Sequence, residues 1–278
     1  MKKPLIFING KMVLASPADL RALTPGAINK YGVFETMRAC QGRIFFFKEH
    51  WDRFCFGLRK LKIKISYSPN EINTISKVVL NANHLDEARL RWEIWREKKI
   101  VRFAIVALPY AELSKQKFRR GLKSVIVPVR IDRAQGQSRV KSLFYTAYFK
   151  AYKLAKEKKC DEAILLNRQG FLAEGSRSNI FVIRKNILLT PALSCGCLKG
   201  ITRQCILKIA KEKRIICREK NLTEESLFNA QEAFLTNSLW GIIPITFVNG
   251  KMIAKGKPGE ITSLLSKRYK HLAQQYLA

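Results

Sequence analysis

Residues 161–184, DEAILLNRQGFLAEGSRSNIFVIR, decide the fold. The stretch 161–175 reads as a hairpin, and NIFVIR (179–184) reads as a further strand after a tight turn. Upstream, the strand KSVIVPVRI (123–131) is followed by SRVKSLFYTAYFKAYKLA (138–155), whose apolar spacing predicts a helix starting near Ser142. Downstream, a strand ends at Thr190-Pro191 and GITRQCILKIAKEKR (200–214) is a helix pattern. EAFLTNS (232–238) then reads as strand and loop, and GEITSLLSKRYKHLAQQYL (259–277) as a terminal helix.

The first half carries a different order of elements. FINGKMV (7–13) places Asn9-Gly10 between apolar runs, the residue pair of a type I′ hairpin turn, and FVNGKMI (247–253) nearly repeats it. Residues 32–47 read as two strands around Gln41-Gly42, and 48–63 as a helix. A second helix opens with Ser68-Pro69-x-Glu71. Residues 88–109 alternate as a hairpin, with Leu90, Trp92 and Ile94 on one face and Arg89, Arg91 and Glu93 on the other. The polar, basic stretch 111–122 suits a connection. The expected class is α+β, in a smaller domain (1–115), a connection (116–122) and a larger domain (123–278).

At 278 residues and 47% hydrophobic, the chain suits a folded globular protein. No apolar run reaches the roughly 18–20 residues of a membrane span. The N-terminal apolar run breaks at Asn9-Gly10, too short for a signal segment, so a cytoplasmic protein is expected. Seven cysteines form no C-x-x-C pair, and Cys195-Gly-Cys197 has the wrong spacing for a zinc knuckle, so no metal is expected. The net charge of +31 attracts phosphates. Its lysines are spread along the chain rather than clustered with aromatics, which argues against nucleic acid as the main partner.

Five features carry possible chemistry. At the start of its expected helix, Lys141 would meet the positive end of the dipole beside apolar neighbours, both favouring the neutral amine. The bland alternative is a lysine on an exposed first turn. In LAEGSRSNIF (172–181), a turn after Glu174 could aim the carboxylate into a cleft beside Ser176, Ser178 and Asn179, or be an ordinary hairpin loop. Gly200 precedes a helix whose first-turn N–H groups, at Ile201 and Thr202, form an anion site or a plain glycine turn. LTNS (235–238) supplies Thr236, Asn237 and Ser238 to a phosphate or to a turn. Arg53, in EHWDRF, adds a cation or is a solvated helix residue.

Taken together and in order, these pieces resemble the class-IV aminotransferases, the pyridoxal-phosphate enzymes of fold type IV. The resemblance spans nearly the whole chain: FINGK, YGVFETMR, HWDRF, RVKSLFY, DEAILLN, FLAEGSRSNIFVI, GITRQ, EAFLTNSLWGIIPI and GKPGEIT. It implies a two-domain fold like that of D-amino-acid aminotransferase, with pyridoxal 5′-phosphate between the domains, usually in a homodimer. It makes Lys141 the Schiff-base lysine and Glu174 the carboxylate that keeps the ring nitrogen protonated. Arg53, Gly200, Ile201, Thr202, Thr236 and Asn237 become phosphate-binding residues, with Ser178 and Asn179 beside the cofactor and Tyr145 near its phenolic oxygen.

The KSLFY spacing and the TNSLWGIIPI loop resemble 4-amino-4-deoxychorismate lyases most. That implies cleavage of aminodeoxychorismate to 4-aminobenzoate and pyruvate, a step toward folate. Amino transfer from branched-chain or D-amino acids to 2-oxoglutarate is the alternative. Thr36 is a candidate proton-handling residue, and Arg89 and Arg91 are candidates for substrate carboxylates or a solvated strand face. The chain departs from the family pattern at Asn29-Lys30-Tyr31-Gly32, Phe144 and Lys199, on the substrate side.

Overall fold

A computed structural model describes residues 3–24, 26, 31–131 and 140–276; the departure at Asn29-Lys30 lies outside them. The chain divides into two compact units, Met1–Ala111 with Arg139–Thr146 and Ala273–Ala278, and Glu112–Ser138 with Ala147–Leu272. The division therefore crosses the chain more than once, and the segment of Lys141 groups with the first unit.

The first unit comprises β1 (Leu5–Ile8), β2 (Lys11–Leu14), α1 (Pro17–Ala22), β3 (Tyr31–Cys40), β4 (Arg43–Ile44), α2 (Phe47–Lys60), α3 (Pro69–Ala82), β5 (Glu87–Glu97) and β6 (Ile100–Pro109). Among the described residues its six strands form one antiparallel sheet, ordered β2-β1-β6-β5-β3-β4. Asn9 and Gly10 turn β1 into β2 with φ of 48° and 87°, the left-handed pair expected of that dipeptide. Helix α3 starts as its sequence predicts: the Ser68 side chain accepts from Glu71 N, and the Glu71 carboxylate accepts from Ser68 N at 2.7 Å. Ser16 and Asp19 cap α1 in the same way. Leu90, Trp92 and Ile94 face Phe54, Leu58, Ile72, Val79 and Leu80 in one core, and the indole N–H of Trp92 donates to buried Ser76 at 2.9 Å.

The second unit comprises α4 (Lys115–Arg120), β7 (Leu122–Ile131), α5 (Thr146–Glu157), β8 (Glu162–Asn167), β9 (Leu172–Gly175), β10 (Asn179–Arg184), β11 (Ile187–Pro191), α6 (Ile201–Glu212), β12 (Cys217–Lys220), α7 (Glu224–Phe228), β13 (Glu232–Asn237), β14 (Gly241–Val248), β15 (Lys251–Met252) and α8 (Glu260–Gln275). Among the described residues nine strands form a mixed sheet, ordered β12-β11-β10-β13-β14-β7-β8-β9, with β15 on β14. Strands β8 to β10 are buried along nearly their whole length, which explains their continuous apolar runs. No helix of the described residues is long and apolar enough to cross a membrane. All seven cysteines are free thiols.

Helix α5 begins at Thr146, not near Ser142. Residues 141–143 are extended instead: Phe34 N donates to Lys141 O at 3.0 Å, Leu143 N donates to Gly32 O at 2.9 Å, and Ser142 bridges Val33. Pairing with β3 overrides the helical spacing of this segment. The dipole argument for a neutral Lys141 falls with it.

Candidate active site

The candidate residues fall into two groups, one in each unit. In the first, the extended segment delivers Lys141 against aromatic faces. Its Nζ lies 4.6 Å from the centroid of Phe34 and 5.9 Å from that of Tyr145, rings that meet edge to face at 5.4 Å. Phe144 is turned outward and exposed, packing edge-on against Tyr31.

Behind this lysine segment, β3 places a carboxylate on its apolar face. Glu35 alternates with Val33 and Met37, all buried. Arg53 of α2 meets it in a two-pronged ion pair, Nε to Oε1 at 2.7 Å and Nη2 to Oε2 at 2.6 Å. His50, one turn earlier, places Nδ1 2.7 Å from Oε2. Burial raises the carboxyl, but attraction to Arg53 and hydrogen bonding from both partners outweigh it and hold Glu35 at about 2. Burial pushes His50 down, so it donates to Glu35 as a neutral ring and Arg53 supplies the charge. Arg53 is thus not the solvated residue its helix position allowed. Glu35 takes the Nε/Nη2 edge of the guanidinium.

A depressed carboxyl gives stability above its unfolded value of about 4.5 that is lost as pH falls toward about 2. Glu35→Gln is expected to cost about 3 kcal/mol at pH 7, because it strands a buried cation. In urea unfolding, the gap between wild type and variant should close as pH falls from 4.5 toward 2. A gap independent of pH would show that charge pairing does not hold this cluster.

On the opposite face of β3, Thr36 is half-buried and sits in register with Arg91 of β5, while Arg38 faces Arg89. This strand face, left open in sequence between a substrate-binding and a solvated role, is half-buried at Arg91. Burial, then neighbouring Arg89, pushes the Arg91 guanidinium down to about 10, so it is still a cation at neutral pH. One Nη donates to the Leu23 carbonyl, and its buried Nε has no partner among the described residues.

In the second unit, Glu174 ends β9 in a buried position. Oε1 accepts from the Tyr148 hydroxyl at 2.7 Å; Oε2 accepts from Leu198 N at 2.8 Å and from Asn179 Nδ2 at 3.4 Å. Asn179 also donates to Leu198 O at 2.8 Å, so Glu174 and Asn179 together clasp the backbone of Leu198. Gly200 follows as the N-cap of α6, with no side chain capping the helix. A Cβ here would fall 2.0 Å from Asn179 Oδ1, so any other residue must displace the Asn179 side chain. Thr236 stands opposite Asn179 in the β10–β13 register, its buried Oγ1 without a partner among the described residues. Ile201 and Thr202 form the buried first turn of α6, with Thr202 Oγ1 3.3 Å from Tyr269 OH.

Two expected site residues, Ser178 and Asn237, also hold turns. Ser178 donates to buried Glu162 at 3.4 Å, Ser176 donates to the same carboxylate, and the two serines shape the turn after Glu174. Asn237 accepts from Leu239 N at 3.0 Å and Trp240 N at 2.8 Å, building the turn into β14. Sequence reasoning missed Glu35, His50 and Tyr148. Glu35 did leave a signal, a carboxylate on the apolar face of an alternating strand, two residues from Val33 and Met37.

A family model described as amino-transferase class IV matches residues 32–248. The chain belongs to the class IV aminotransferases. It is an enzyme of that class, and its cofactor is pyridoxal phosphate. A Methanocaldococcus jannaschii protein assigned provisionally as a branched-chain-amino-acid aminotransferase is 32% identical over 98% of this chain and 97% of its own. The aminodeoxychorismate lyase of Bacillus subtilis is 29% identical over 96% and 94%. The T.th. branched-chain amino acid aminotransferase, solved with pyridoxamine 5′-phosphate, superposes with a TM-score of 0.88 at 25% identity, covering 99% of this chain and 96% of that one.

The residues of this class IV chain fit the cofactor. The uncapped start of α6 and the unpartnered Thr236 hydroxyl suit a phosphate. Glu174, supplied with donors and aimed by them, suits a protonated ring nitrogen.

Proposed function

We propose that this enzyme transfers the amino group of branched-chain L-amino acids to 2-oxoglutarate. The observation that carries this reading is the similarity, over almost all of both chains, to a relative assigned as a branched-chain aminotransferase. It replaces the lyase as the first reading. When bound, pyridoxal phosphate supplies the electron sink for Cα–H cleavage.

The chain's residues take these parts. Lys141 would hold the cofactor aldehyde, and its amine would carry the proton to and from the substrate Cα. Glu174 holds the proton at the ring nitrogen. Ile201 and Thr202 N–H groups, Thr236 and Arg53 bind phosphate, with Glu35 fixing Arg53. Tyr145 would lie on the side of the cofactor's phenolic oxygen. Arg91 takes the second carboxylate of the dicarboxylate co-substrate. Accordingly, Arg91→Gln should raise KM for 2-oxoglutarate about 10- to 100-fold, as expected for loss of a charge-assisted bond, and leave KM for leucine within about threefold. Equal changes in both would remove Arg91 from this role.

The lyase reading is favoured by Thr36, a hydroxyl in register with Arg91, and by the likeness to the Bacillus subtilis enzyme. Incubation with aminodeoxychorismate alone, and with L-leucine or D-alanine plus 2-oxoglutarate, separates the readings. Glutamate formed from leucine supports the proposal, and release of 4-aminobenzoate without any keto acid supports the lyase.

A further inference from the structure

Glu174 is buried, and the role given to it above is that of an anion. Three donors of the second unit reach its carboxylate. Two come from the clasp already described, Leu198 N and Asn179 Nδ2, both on Oε2. The third, the Tyr148 hydroxyl, lies on Oε1 at 2.7 Å, at the distance typical of a phenol donating to a charged oxygen. Tyr148 is itself buried, in the first turn of α5, so this bond is shielded from water.

We propose that Tyr148 is a positioning residue that aims the Glu174 carboxylate at the cofactor's ring nitrogen, a role that rests on the reading of Glu174 given above. A donor to the ionised form stabilises it, so the proton shared between ring nitrogen and carboxylate stays on nitrogen. Without Tyr148 the carboxylate would lose that donor and its aim, and the ring nitrogen would hold its proton less firmly.

The test uses holoenzyme loaded with cofactor labelled with nitrogen-15 in the ring, whose chemical shift reports protonation of that nitrogen. Wild type should show the protonated signal. Tyr148→Phe should move it toward neutral pyridine and lower kcat about tenfold, the effect of one charge-assisted hydrogen bond, with KM within about twofold. Incorporation of 3-fluorotyrosine at position 148, a stronger donor of the same shape, should hold the signal at or beyond the protonated position, and it serves also if the Phe variant does not fold. An unmoved signal in Tyr148→Phe, alongside a neutral signal in Glu174→Gln, overturns the role of Tyr148 alone. A protonated signal in Glu174→Gln overturns the reading of Glu174, and the role of Tyr148 with it.

Discussion

Lys141→Ala should lose the visible absorption of the cofactor–lysine linkage and fall in turnover by about 10⁴-fold or more. Two functions vanish together, covalent attachment and the proton carrier, and general acid–base catalysis alone is worth about 10²–10⁴-fold. Folding should be little affected, because the side chain rests against the rings of Phe34 and Tyr145 rather than inside the first-unit core. Added small primary amines should restore part of the activity. A variant that keeps its colour and turnover would show that another lysine carries the cofactor.

Glu174→Ala should lower kcat by about 10²–10³-fold, the scale on which one preorganised electrostatic group acts. The loss should appear in kcat more than in KM, because the carboxylate acts on the reacting electrons rather than on substrate recognition. The variant also leaves the Tyr148 hydroxyl and Leu198 N without their shared acceptor, so a drop in stability of about 1–3 kcal/mol should accompany it. Urea unfolding of the cofactor-free forms separates that drop from the catalytic loss.

Much of the fold is legible in the sequence. Asn-Gly turns, the Ser68–Glu71 box and the run from β8 to β10 are local signals, set by residues adjacent in sequence, and the structure follows them. The segment of Lys141 was misread because its structure is not local. Its apolar spacing suits a helix, but β3 offers backbone partners from Gly32 to Phe34, and pairing there wins over residues 141–143. The same non-local pairing groups residues 139–146 with the first unit, which no composition shift marks. Glu35 was visible as a charge in an apolar alternation, whereas nothing in the sequence tied Tyr148 to Glu174, 26 residues away. Arg91 was left open between a ligand role and a solvated face, since alternation says which face a side chain takes but not what covers it.

Nitrogen-15 L-leucine incubated with the holoenzyme and 2-oxoglutarate tests the central claim most directly, with mass spectrometry of the products. The account predicts nitrogen-15 glutamate and 4-methyl-2-oxopentanoate in equal amounts. Absence of both products, together with release of 4-aminobenzoate and pyruvate from aminodeoxychorismate, would contradict it.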